Sequence, residues 1–258
     1  MMKHAAKISG KFGVLGKLAA ALAVGFAMNA AQAANNIVTF EGIDSGFVGD
    51  SDYYEMNGID FAAYSNVSGA TPGDLVGSVV DGNDLAGGPC YGLACPTNNK
   101  TTFFTVVNDG VVEITPVDPA GSVHVYGLDA SFVGAVQGGS YPLTAGILNI
   151  QGLTATGTVS NASFNLAGPV GGNFSFQHFS TDAAFAAQNF IAVDIFGYVC
   201  NTAGNCKAFQ TNQGQFALDN IDLGPAAVSA VPEPSSWLML GLGLAGIAVA
   251  ARRKNKRA

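Results

Sequence analysis

Basic side chains are scarce in this chain, and the few it has stand at the ends. Of 11 lysines and arginines, Lys3, Lys7, Lys11 and Lys17 lie near the start, and Arg252, Arg253, Lys254, Lys256 and Arg257 close the sequence. Only Lys100 and Lys207 lie between. All 18 acidic residues except Glu233 fall between Ala34 and Ala230, so this segment carries a net charge of −15. Nucleic acid and anionic lipid need basic side chains to displace their counterions, so a surface this acidic excludes both as partners. It suits neutral glycans, cations or solubility outside the cell.

Catalytic side chains are equally sparse. The segment holds His124 and His178, each flanked by strand-type residues, and no serine stands in a nucleophile-elbow context. No glycine loop is set between a strand and a helix to hold phosphate, and no metal-protease helix occurs. Asp44, Asp50, Asp52 and Glu55 are crowded. In a glycine-rich loop such crowding reads as a solvated or cation-binding surface, because hydrolysis by two carboxylates needs a spacing across a cleft. The chain therefore reads as non-enzymatic, with glycoside chemistry as the alternative.

Long apolar runs are confined to the ends. After the four lysines, Leu18 to Met28 is apolar, and Ala31-Gln32-Ala33 offers the small residues that signal peptidase requires. Residues 1–33 are expected to be a signal peptide cleaved before Ala34. An uncleaved N-terminal anchor is the alternative, against which stand the shortness of the run and the quality of the site.

Between the ends, residues 34–223 show short β-branched or alternating runs at Ile37–Phe40, Ile59–Tyr64, Leu75–Val80, Thr102–Val107, Val111–Thr115, Val123–Tyr126, Ala145–Ile150, Thr156–Leu166, Phe174–Phe179, Phe190–Val199 and Phe216–Leu223. Turn signals such as Asn108-Asp109-Gly110 and Gly168-Pro169 separate them. Many short strands with turns between predict an all-β fold, an antiparallel β-sandwich or jelly roll. A stacked β-helix is the competing architecture, but it needs a fixed period that this sequence lacks. Only Thr181–Gln188 looks helical, and Asp44–Gly92 reads as long connections with shorter strands. Residues 224–230 look like a linker.

The four cysteines form two close pairs, Cys90 with Cys95 and Cys200 with Cys206. In an exported chain these favour two local disulfides. A zinc site is the alternative, but the spacing departs from a two-residue knuckle.

After the linker come Val231-Pro232-Glu233-Pro234, two serines, an apolar run from Trp237 to Ala251, and the basic cluster led by Arg252-Arg253-Lys254. The prolines hold the backbone extended and open to a protease. The apolar run is at the short end for a membrane span, and the cations would hold the C-terminus in the cytoplasm. Hydropathy alone leaves a permanent anchor open. In order and spacing, residues 231–258 resemble the PEP-CTERM sorting signal. That resemblance implies recognition by an exosortase, an integral-membrane cysteine protease that cuts near Pro-Glu-Pro. It also implies a Gram-negative, polysaccharide-producing cell, transient residence in the inner membrane, and a final place at the envelope surface or in the extracellular matrix.

A second resemblance lies just upstream. Gln215, Phe216 and Asp219 look like the Gln-Phe-x-x-Asp signature of one group of PEP-CTERM proteins. From the residues themselves, Phe216, Leu218 and Ile221 would face the core of a last strand, with Asp219 on its polar face or at a bulge. Jelly-roll carbohydrate modules bring first and last strands together around a structural calcium, and Glu41 and Asp219 resemble the acidic ligands used there. No cofactor is otherwise required. The expected protein is an exported structural component associated with exopolysaccharide or biofilm, with a calcium-stabilised carbohydrate-binding module as the alternative. Exposed Tyr53, Tyr54, Tyr64 or Tyr91 would then stack on sugars.

Overall fold

The computed structural model describes residues 35–86 and 88–225. The expected signal cleavage site at Ala31, Ala33 and Ala34, the sorting motif Val231 to Pro234, the apolar run and the cluster Arg252 to Lys254 lie outside the described residues.

Period-two alternation sets the strands. In Ile59-Asp60-Phe61, for example, the apolar residues are buried and the acid between them is not, as a pleated strand with one covered face requires. In chain order the strands are β1 (Asn35–Val38), β2 (Gly46–Gly49), β3 (Tyr53–Met56), β4 (Ile59–Tyr64), β5 (Leu75–Asp81), β6 (Thr102–Val106), β7 (Val111–Pro116), β8 (Gly127–Phe132), β9 (Thr144–Thr154), β10 (Val159–Ala167) and β11 (Gln177–Ser180). A single helical turn α1 (Ala183–Ala186) follows, then β12 (Phe190–Cys200), β13 (Cys206–Lys207) and β14 (Phe216–Pro225).

Two 7-stranded sheets result, and all their ladders are antiparallel. The first runs β11-β8-β14-β6-β5-β2 with β1 also on β14, and the second runs β10-β9-β12-β7-β4-β3 with β13 on β12. The expected β-sandwich is thus the architecture. Between the sheets, Phe104 of β6 meets Phe61 of β4 and Phe40, with ring centroids 5.0 to 5.5 Å apart. Three fully buried rings from two sheets and one connection make this the joint of the sandwich. Truncating one to alanine would cost about 3–5 kcal/mol.

Turn chemistry explains the connections. Asn57 and Gly58 both have positive φ, and Met56 pairs with Ile59, so β3 and β4 form a hairpin with a type I′ turn. Asn108 and Asp109 also have positive φ, and the Gly110 amide donates to the Val107 carbonyl at 3.0 Å. That tight turn carries the chain from β6 in one sheet to β7 in the other. Asp182 caps α1 by accepting the Phe185 amide, and the expected helix is only this one turn.

The structure departs from the sequence expectation at several strands. Val123–Tyr126 is not a strand. Val123 exchanges hydrogen bonds with Phe190 of the second sheet, whereas the Tyr126 amide donates to Asp222 of the first. These residues cross between sheets, and the ladder begins only at Gly127. Phe174 lies before β11, its ring packed against Phe132 and Tyr141. Within Asp44–Gly92, β2 and β3 are edge strands of the two sheets.

Candidate functional site

Gln215 stands just before β14, and Phe216 and Asp219 lie in the first half of that strand, in the middle of the first sheet between β8 and β6. Phe216 faces the core with Leu218 and Ile221, and all three are fully buried. Asp219 points the other way, only 1% exposed. At Asn220 the φ turns positive and the register with β8 shifts, so the strand bulges directly after Asp219.

The carboxylate of Asp219 is occupied by protein donors. Its oxygens accept from Asn99 Nδ2 at 2.7 Å, Thr101 Oγ1 at 3.1 Å and the Asn220 amide at 2.8 Å. Burial pushes its pKa above the ordinary value, the donors from Asn99, Asn220 and Thr101 pull it back, and the nearby Asp129 pushes it up. Glu41, exposed beside the first strand, accepts the Thr102 amide at 2.7 Å. First and last strands do pair, β1 against β14, and both carboxylates reach the chain just before and at the start of β6. Yet the oxygens with partners there face N–H and O–H groups. Calcium requires six to eight oxygens, and among the described residues no three acidic, histidine or cysteine side chains gather closely enough to hold a metal. The donor set at this corner fits hydrogen bonding and does not fit an ion.

Other acids are used in the same way. Asp109, buried at the tight turn from β6 to β7, accepts the amides of Thr211, Asn212 and Gly214 and so pins the loop that precedes β14. Within the crowded acidic stretch, Asp52 accepts the Gly49 amide and Asp50 the Ser65 amide, both at 2.7 Å.

His178 lies in β11 and His124 lies outside any strand, with its Nδ1 against the Ala186 carbonyl at 3.1 Å. His178 Nδ1 meets Asp129 at 2.8 Å, and Ser180 Oγ lies 3.3 Å from Nε2. The order serine, histidine, aspartate is that of a hydrolytic triad, but the His178 side chain is 62% exposed on an edge strand. Water competes there for each of its hydrogen bonds.

The outer face of the first sheet holds the feature that sequence reasoning missed. Both expected disulfides are present, Cys90–Cys95 and Cys200–Cys206. The first staples the connection from β5 to β6 into a cover over Val80, Phe103 and Ala217. Two successive turns shape its tip. The Tyr91 amide donates to Gly88 and the Leu93 amide to Cys90, with Gly92 at positive φ, the conformation that a type II turn reserves for glycine. Tyr91 is thereby thrust outward, 83% exposed.

Where the cover stops, a groove of about 320 Å³ opens, lined by Tyr91, Pro89, Leu93, Phe47, Leu75, Ser78 and Gln215 among others. Phe47 of β2 stands opposite Ser78 and is 73% exposed. A second depression of about 400 Å³ shares Phe47 and Leu75 with the first. Gln215, 6% exposed, lines the groove with its Oε1 buried and without a partner. Its Nε2 lies 3.5 Å from the Asn212 carbonyl. A carbonyl only accepts, so this contact favours the amide nitrogen facing it and leaves Oε1 as the end without a partner.

Among solved structures, the chain is similar to a DUF4465 family protein from Bacteroides caccae, at 13% identity and TM-score 0.45, with 74% of this chain and 99% of that one covered. A DUF4465 family protein from Bacteroides ovatus gives 8% identity and TM-score 0.36 over 73% and 98%. TmCBM61 in complex with β-1,4-galactotriose gives 8% identity and TM-score 0.31 over 64% and 88%. No curated protein matches the chain. Residues 230–254 match the PEP-CTERM protein-sorting motif. The chain thus carries a PEP-CTERM sorting motif at its C-terminal end, and the motif implies export, processing by an exosortase and a place at the envelope or outside the cell.

Proposed function

We propose that the processed protein is a non-enzymatic component of the extracellular matrix, held there by association with exopolysaccharide. The observation that carries this reading is the use made of its acids. Asp50, Asp52, Asp109 and Asp219 each accept hydrogen bonds from backbone amides of the protein's own turns and loops, an arrangement that builds a rigid scaffold. General acid and base catalysis instead needs carboxylates turned toward a substrate. The net charge of −15 keeps copies soluble and apart at high local concentration.

In this reading, signal peptidase removes residues 1–33 after export. The apolar run Trp237–Ala251 then holds the chain in the inner membrane, with Arg252, Arg253 and Lys254 on the cytoplasmic side, until exosortase cuts near Pro232-Glu233-Pro234.

Deleting exosortase in the producing cell tests the route. The protein should gain the mass of its uncut tail and move to the membrane fraction. An unchanged mass and location would mean that the tail is only an anchor. Blocking polysaccharide synthesis tests the destination: the mature protein should be shed into the medium, and continued retention on such cells would sink the matrix assignment.

A further inference from the structure

The orphaned acceptor of Gln215 needs an explanation. A buried carbonyl oxygen without a partner has lost its water and gained nothing in exchange, so such groups mark strain, water or a ligand position. Here the oxygen is itself covered, but it belongs to a side chain that lines an open groove, so a donor on whatever fills that groove would reach it once the side-chain amide turns outward. The matching group is a hydroxyl or N–H donor.

The surroundings narrow the ligand. None of the residues lining this groove is charged, which removes any counter-ion for an ionic ligand. Two aromatic rings, Tyr91 and Phe47, stand exposed at its margins although burial would stabilise them, and aromatic faces of this kind stack on the C–H faces of sugar rings. The second depression shares Phe47 and Leu75 with the groove, and its one charged lining residue, Asp52, already accepts the Gly49 amide, so the surface beside the groove has room for a further sugar. Disulfide Cys90–Cys95 and the Gly92 turn fix the backbone that presents Tyr91 before any ligand arrives, which lowers the entropic cost of binding.

We propose that this groove on the outer face of the first sheet binds an uncharged glycan chain, with Tyr91 and Phe47 stacking on its sugars and Gln215 Oε1 accepting a hydroxyl. The proposal rests on the polysaccharide association argued above and gives it a location. Acidic glycans are disfavoured, since the domain's own charge repels them.

The test is affinity electrophoresis of the processed protein, purified from the producing cell, through gels containing that cell's own exopolysaccharide. The polysaccharide is first separated by anion exchange into neutral and acidic fractions. Three variants run beside the parent: Tyr91→Ala, Phe47→Ala and Gln215→Leu. The neutral fraction should retard the parent, and each variant should weaken that retardation by roughly tenfold. Gln215→Leu should also melt no lower than the parent, because it deletes an unsatisfied acceptor while keeping the side chain's bulk. If the parent is retarded and all three variants equally so, polysaccharide binding lies elsewhere and the groove assignment fails. Retardation by the acidic fraction alone overturns the uncharged ligand. If neither fraction retards the parent, the polysaccharide association itself fails. A large fall in melting temperature for Gln215→Leu would make Gln215 a packing residue and remove its role in binding.

Discussion

Asp194 of β12 and Glu113 of β7 stand directly opposite one another across an antiparallel pair near the middle of the second sheet. Like charges so placed repel, and burial makes the repulsion more costly. Burial raises the Asp194 carboxyl above its ordinary 3.8, and burial together with the Asp194 charge raises Glu113 above 4.5. Both groups therefore hold protons more tightly in the folded chain than in the unfolded one. The stability this brings is complete below the ordinary carboxylate range and is lost as the pH climbs through the raised values.

Glu113→Gln keeps the shape and removes one charge. It should raise stability near pH 7 by about 0.2–1 kcal/mol and flatten the fall in stability between about pH 4 and pH 7. Urea denaturation at both pH values measures this, and a variant weaker than the parent at neutral pH would refute the repulsion.

Asp109→Ala leaves three amides, those of Thr211, Asn212 and Gly214, without their acceptor. The expected loss is about 3 kcal/mol, since hydrogen bonds to a charged group are worth about 1.5–3 kcal/mol each and exposed amides recover part of it from water. Hydrogen exchange should speed up at those amides before it does so in the strands.

Asp219→Ala should lower stability by about 2 kcal/mol by releasing Asn99 and Thr101, which tie the cover over the first sheet to β14. Because the same oxygens already face donors, calcium in millimolar excess should leave the melting temperature of the parent unchanged, and so should a chelator. A rise in melting temperature with calcium would signal an ion bound preferentially to the folded state.

Replacing both Cys90 and Cys95 by alanine should cost about 2 kcal/mol, the chain-entropy value for so short a loop. Replacing Cys200 and Cys206 should cost a similar amount in the hairpin of β12 and β13. Limited proteolysis separates them: only the first pair should open residues 82–101 to cleavage. Cleavage there in neither variant would show that packing alone holds the cover.

Much of the sandwich was legible in advance because its strands are written locally. Ile59–Tyr64 begins and ends where the alternation does, and the cysteine pairs close where their spacing says. Edge strand β3 was also in reach, since Asn57-Gly58 is the strongest short hairpin signal in the chain. Val123–Tyr126 was misread because β-branched residues alone do not say with which strand they pair.

The sequence by itself determined the sorting motif, the all-β class, the turns and the disulfides, since each rests on residues within a few positions of one another. Tertiary structure alone decided that Asp194 meets Glu113, that Asp109 and Asp219 are consumed by distant donors, and that Gln215 ends beside Tyr91 and Phe47 with one oxygen unmatched. The physical reason is register. Which side chains face each other across strands far apart in sequence is set by the packing of two whole sheets, and no local pattern encodes it.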